Sequence, residues 1–148
     1  MVMDGVIPRT RLPEVLRSIE RIVTTHSLRV GNVFHAGDGN LHPNILYDPR
    51  KPGEEARVLA AGAEIMRACV DAGGTISGEH GIGLEKRDFM PWIFSEADLA
   101  TMAAIKAVFN PTGRCNPGKI FPTRKSCAPG EIAYQPHPLE ASGLIQRL

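Results

Sequence analysis

The run from Arg29 to Tyr47 constrains this chain more than any other stretch. Two strand-like segments, Arg29 to His35 and Leu41 to Tyr47, flank a Gly-Asp-Gly-Asn turn whose glycines are free to take positive φ. This predicts a β-hairpin with Gly37 to Asn40 as its loop. Such a loop sets Ala36 opposite Leu41 and His35 opposite His42, so both imidazoles project from one face as a cross-strand pair. Asn44 joins them two residues further on. Phe34, Ala36, Leu41 and Ile45 occupy the other face, toward whatever covers it.

Helical periodicity on either side supplies that cover. Leu12, Val15, Leu16, Ile19, Ile22 and Val23 recur at helical spacing, with Pro13 and Glu14 suited to a first turn, and predict an amphipathic helix ending near His26. Before it, Val2 to Ile7 reads as a strand closed by Pro8. Glu54 to Ala72 reads as a second helix stopped by Gly73-Gly74, and Thr75 to Ser77 as a short strand after it. Ser95, with Asp98 three residues on, opens a third helix through Leu99, Met102, Ile105 and Val108 that ends at Asn110-Pro111. The order strand, helix, hairpin, helix, strand predicts an α+β fold, a mainly antiparallel sheet with helices on one face, followed by a C-terminal helix and a tail. The folded domain is expected over residues 1–122, with Thr123 to Leu148 a tail suited to docking.

Composition narrows the partners. A formal charge of +1 over 148 residues gives no electrostatic case for nucleic acid or an anionic membrane. Cys69, Cys115 and Cys127 are odd in number and lie outside any C-x-x-C pattern, against a disulfide framework or an iron–sulfur cluster. Neither a signal-peptide pattern nor an apolar run of about eighteen residues occurs. The expected setting is the cytoplasm.

The chemistry-bearing residues are His35, His42 and a carboxylate from elsewhere, for which Glu79 in Ser-Gly-Glu-His-Gly-Ile-Gly is the candidate. Two imidazoles and one carboxylate suit a divalent metal and leave coordination positions open, as catalytic rather than structural sites do. In an extended chain Glu79 and His80 point to opposite sides, so one ligates while the other faces a neighbouring pocket. The bland readings stand beside this: a histidine pair across a hairpin also serves as surface decoration, and Asp38 is turn chemistry. Gly73-Gly74 is a helix stop, Lys86-Arg87 a solvated pair, and Trp92 core.

Gly37-Asp-Gly-Asn-Leu-His42, Ser77-Gly-Glu-His-Gly-Ile-Gly83 and Asn116-Pro-Gly-Lys119 together resemble the C-terminal half of FAD-linked oxidases of the vanillyl-alcohol-oxidase type. The likeness runs from about Asp4 to Pro122. It is to the group of D-lactate and D-2-hydroxyglutarate dehydrogenases and glycolate oxidases, with Asp4 to Arg9 and Val33 to Asn40 nearest the glycolate oxidase branch. The resemblance implies a ferredoxin-like cap in which His35, His42 and Glu79 bind a divalent metal, zinc being expected. It further implies that Asn44 contacts a small 2-hydroxy acid, that His80 is the base, and that Asn116 and Lys119 face the flavin cofactor. Where some relatives place a substrate-binding lysine, Val2 or Met3 stands here, which points away from 2-hydroxyglutarate. The resemblance also implies an N-terminal FAD-binding domain, which the chain lacks, so the chain alone is expected neither to retain FAD nor to turn over substrate.

Three expectations follow: part of a flavoenzyme completed by an FAD domain or other subunits, a self-sufficient metal-dependent hydrolase, or a non-catalytic docking module. Loss of the flavin domain would uncover an apolar face, so a homodimer is expected as well.

Overall fold

A computed structural model of the chain describes residues 1–122; the expected tail, Thr123 to Leu148, and with it Cys127, lies outside the described residues. The elements run β1 (Gly5–Val6), α1 (Leu12–Thr25), β2 (Arg29–His35), β3 (Asn40–Leu46), α2 (Glu54–Asp71) and α3 (Glu96–Phe109). Short 3₁₀ turns cover Arg9–Arg11 and Arg87–Trp92. The sheet is antiparallel in the order β1-β3-β2. Thr75 adds a single bridge to Val6 on the far side of β1, so the backbone follows the β-α-β-β-α-β path of a ferredoxin-like unit with its last strand reduced to one pair. This is the α+β arrangement that the periodicity predicts.

Apolar side chains of one sheet face meet both long helices. Met3, Ile7, Leu41 and Ile45 lie against Val15, Ile19 and Val23 of α1 and Val58, Ile65 and Met66 of α2, all buried. Helix α1 carries Pro13 in its first turn, and Ser95 caps α3 with a reciprocal capping box to Asp98. Cys69 lies within this core, where burial pushes its thiol up to about 12 and leaves it unreactive near neutrality. Among the described residues no helix is long and apolar enough to cross a membrane.

Three expectations need correction. The first segment pairs along β3 from Val2 to Val6, but regular strand is confined to Gly5–Val6. Met3 donates to the Pro43 carbonyl at 3.0 Å, and Pro43 has no N–H to return the bond, so the ladder is broken there. The strand expected at Thr75 to Ser77 shrinks to its first residue: from the Ser77 hydroxyl onward the chain bonds to the Asp4 side chain instead of extending the sheet. The hairpin loop is Ala36–Gly39 rather than Gly37 to Asn40. Asp38 and Gly39 both donate to the His35 carbonyl, at 3.0 and 2.9 Å, and Gly39 closes the turn with φ 74°. His35 therefore pairs with Asn40, Phe34 with Leu41 and Val33 with His42. The register moves by two residues, and an even shift keeps every side chain on its expected face. Phe34 and Ala36 stay exposed, however, because β2 is the sheet edge and overhangs the helices.

Candidate metal centre

The sheet face turned away from α1 and α2 is polar. The pairing register places Asp4 of the first segment beside His42, with Asn40 and Asn44 before and after it on β3 and His35 diagonally across on β2. The His35 and His42 rings meet edge to face, centroids 5.4 Å apart. Over this face passes the loop from Ser77 to Gly83.

Asp4 anchors that loop. It is fully buried, and its Oδ2 accepts from the Ser77 hydroxyl (2.8 Å) and the backbone N–H groups of Gly78 (3.0 Å), Glu79 (3.2 Å) and His80 (2.9 Å). Successive N–H groups pointing at one anion form a nest, here filled by a side chain of the same molecule. Lys86 completes it, donating to the Asp4 carbonyl at 2.8 Å with its ammonium 3.3 Å from Oδ2. Burial alone would raise the Asp4 carboxyl, but the hydrogen bonds from His80, Ser77 and Gly78 and the Lys86 charge outweigh it and hold the group well below the usual carboxylate range. Lys86 is thus a buried ion-pair partner, not half of the expected solvated pair. Its neighbour Arg87 donates to the Gly118 carbonyl at 2.8 Å.

With its backbone curled around Asp4, the loop is not extended, so Glu79 and His80 do not diverge as an extended chain requires. Both reach His42. The Glu79 carboxylate lies 3.5 Å from His42 Nε2 and 3.5 Å from His35 Nε2. The His80 ring stacks on that of His42, centroids 5.0 Å apart and planes 18° from parallel. One ligand atom from each of His35, His42 and Glu79 falls within 4.8 Å of the others. His42 is buried at the back while His35 and Glu79 are half-exposed, so the group opens to solvent on one side. Two imidazole nitrogens and a carboxylate oxygen at this spacing fit a divalent cation with open positions. His42 Nδ1 is buried without a hydrogen-bond partner among the described residues and faces Asp4 Oδ1 at 4.0 Å, leaving Nε2 to the cluster.

Asn44 lies one pair further along, half-buried, its amide nitrogen donating to the His42 carbonyl at 3.2 Å. Gly31 stands opposite and puts no side chain over it. Asn116 and Lys119 are exposed beyond α3 and engage each other, Lys119 Nζ on Asn116 Oδ1 at 3.1 Å. Asn116 takes φ 47°, and the Lys106 ammonium holds the turn through the Asn116 and Lys119 carbonyls. The next residue, Ile120, donates to the Gly83 carbonyl at 2.8 Å, tying this turn to the end of the site loop.

Gly78 is where the loop touches the sheet. A Cβ there would lie 2.6 Å from Val6 Cγ2 and 2.9 Å from the Asn40 amide nitrogen. Gly78→Ala is expected to destabilise the fold by about 1–3 kcal/mol, as overpacking does. An unchanged melting temperature would mean that the loop yields freely.

An α+β domain that gathers two imidazoles, a carboxylate and a second-rank histidine on one open sheet face has the donor set of a catalytic divalent-metal site. Residues 1–120 match the family described as FAD linked oxidases, C-terminal domain, and the chain belongs to it. It is 53% identical over 126 residues to the glycolate oxidase subunit GlcD of Escherichia coli K12, covering 85% of this chain and 25% of that protein. To the D-2-hydroxyglutarate dehydrogenase of Stutzerimonas stutzeri it is 38% identical over 115 residues, 75% of this chain and 25% of the relative. To the D-lactate dehydrogenase of Anaerostipes hadrus it is 35% identical over 118 residues, 79% and 25%. The chain spans about a quarter of the length of these curated relatives.

Proposed function

We propose that this chain is the C-terminal, substrate- and metal-binding part of a flavin-dependent 2-hydroxy-acid dehydrogenase acting on glycolate or D-lactate, with His35, His42 and Glu79 as ligands of a zinc ion. The observation that carries the reading is the convergence of those three ligand atoms within 4.8 Å, from two strands and a separate loop. The likeness to glycolate oxidase and D-lactate dehydrogenase sequences supports the substrate class.

When bound, the metal supplies Lewis-acid polarisation of the substrate hydroxyl, and the flavin acceptance of the Cα hydride. The chain's own residues then divide the remaining work. Asn44, fixed against β3, offers its amide to the hydroxy acid. His80, exposed and held against His42 by stacking, takes up the hydroxyl proton on a ring nitrogen. Asn116 and Lys119, on a turn tied to the site loop, face the flavin domain. That domain, on the same polypeptide or a partner, closes the open side of the site and excludes water. Helix α3 supports such a partner: it buries none of its side chains fully and leaves Ile105, Val108 and Phe109 exposed. The E. coli relative is named a subunit, and by that likeness this chain works within a multi-subunit flavoenzyme.

The test is elemental analysis and zinc titration of the purified chain. One zinc per chain is expected, with affinity falling at least about tenfold in His35→Ala, and a colourless preparation that reduces an electron-accepting dye only when a flavin domain is supplied. Wild-type protein that retains no more zinc than His35→Ala would sink the reading.

A further inference from the structure

We infer that Asp4 is the positioning residue of the centre: its carboxylate shapes the loop that presents Glu79 and His80 beside His42. The inference rests on the reading of His35, His42 and Glu79 as metal ligands.

Asp4 has no exposed surface, and a buried carboxylate is costly unless its lone pairs are filled. Here they are filled by the groups that matter to the site. Three consecutive N–H donors belong to Gly78, Glu79 and His80, and a fourth donor is the Ser77 hydroxyl, which itself accepts from the Gly81 N–H at 2.8 Å. The path of residues 77–81 is therefore written by one side chain 73 positions before Ser77 in the sequence. On its other side the same carboxylate faces His42 Nδ1 at 4.0 Å. Asp4 thus borders the ligand on β3 as well as the loop that carries Glu79.

The experiment uses the full chain, with Asp4→Asn, Ser77→Ala and a core control, Val23→Ala, buried in the last turn of α1. Zinc affinity is measured by competition with a chelating dye, and protection of the Gly78, Glu79 and His80 amide protons by hydrogen exchange in the metal-free protein. Asp4→Asn is expected to weaken zinc binding about 10- to 100-fold and to speed the exchange of those three amides. Val23→Ala, destabilised but with the nest intact, should bind zinc as the wild type does. If Asp4→Asn does not fold, Ser77→Ala reads the same effect as a smaller, several-fold loss. Wild-type zinc affinity in the folded Asp4→Asn or, failing that, Ser77→Ala variant, or amide exchange at Gly78, Glu79 and His80 as slow in that variant as in the wild type, overturns the inference. Should the wild type itself bind no zinc, the metal reading falls, and the amide exchange alone decides for or against Asp4.

Discussion

Replacing Lys86 with methionine is expected to lower the unfolding free energy by about 3 kcal/mol at neutral pH, measured by urea denaturation. Methionine is unbranched and only one atom shorter, so little packing is lost, but Asp4 is left as a buried anion without its counter-charge. Breaking a buried pair from one side typically costs about 3–5 kcal/mol, and the low end applies because the Ser77 hydroxyl and the loop N–H groups stay in place. The pH dependence gives an independent check. The Asp4 carboxyl is held below its unfolded value, so its contribution to stability is complete above about pH 4 and is lost as pH falls through the lower folded value. In Lys86→Met the carboxyl takes up a proton more readily, and protonation relieves the unpaired charge. The gap between the two proteins should therefore narrow as the pH drops below about 4. A gap that stays constant from neutrality to acid would show that the loss comes from packing and not from the ion pair.

Much of this architecture was legible because it is written in local periodicity. Helices α1 and α2 follow their apolar stripes, and the end of the second at Asp71 falls one residue from the position the sequence predicts. The Ser95–Asp98 capping box forms as its spacing demands. The hairpin was legible in face but not in register. Period-two alternation fixes which side His35, His42 and Asn44 share, whereas the choice between loops at Ala36–Gly39 and Gly37 to Asn40 depends on which residues bond the His35 carbonyl. What stayed hidden was non-local. Asp4 sits in an apolar strand-like run and Lys86 beside another basic residue, and neither pattern announces a partner 82 positions away. The one available signal was the charge itself within the Val2 to Ile7 segment, at the parity that faces His42 once the two strands are paired. The loop's departure from extended backbone followed from that missing anchor. For this reason the sequence brought His35, His42 and Glu79 together as candidates but set Glu79 and His80 on opposite sides, where the nest around Asp4 turns both toward His42.

That shared orientation separates two roles at adjacent positions, and the complete flavin-containing enzyme offers the sharpest test of it. His80→Gln is expected to reduce turnover about 10²- to 10⁴-fold, the usual effect of removing a positioned acid–base group, while leaving zinc content unchanged. Glu79→Gln should instead lose zinc and activity together, because its carboxylate stands 3.5 Å from both imidazole nitrogens. The His80 ring is stacked against His42 and takes no place among the three converging ligand atoms, so its loss leaves the donor set whole. The pH profile adds a readout that a merely structural histidine would not move. A base must be deprotonated to act, so kcat/KM of the wild type should fall on the acid side, and that limb should disappear in His80→Gln along with most of the rate. Turnover near the wild-type value, or an acid limb that persists unchanged in the variant, would remove His80 from the chemistry and leave it as a packing partner of His42.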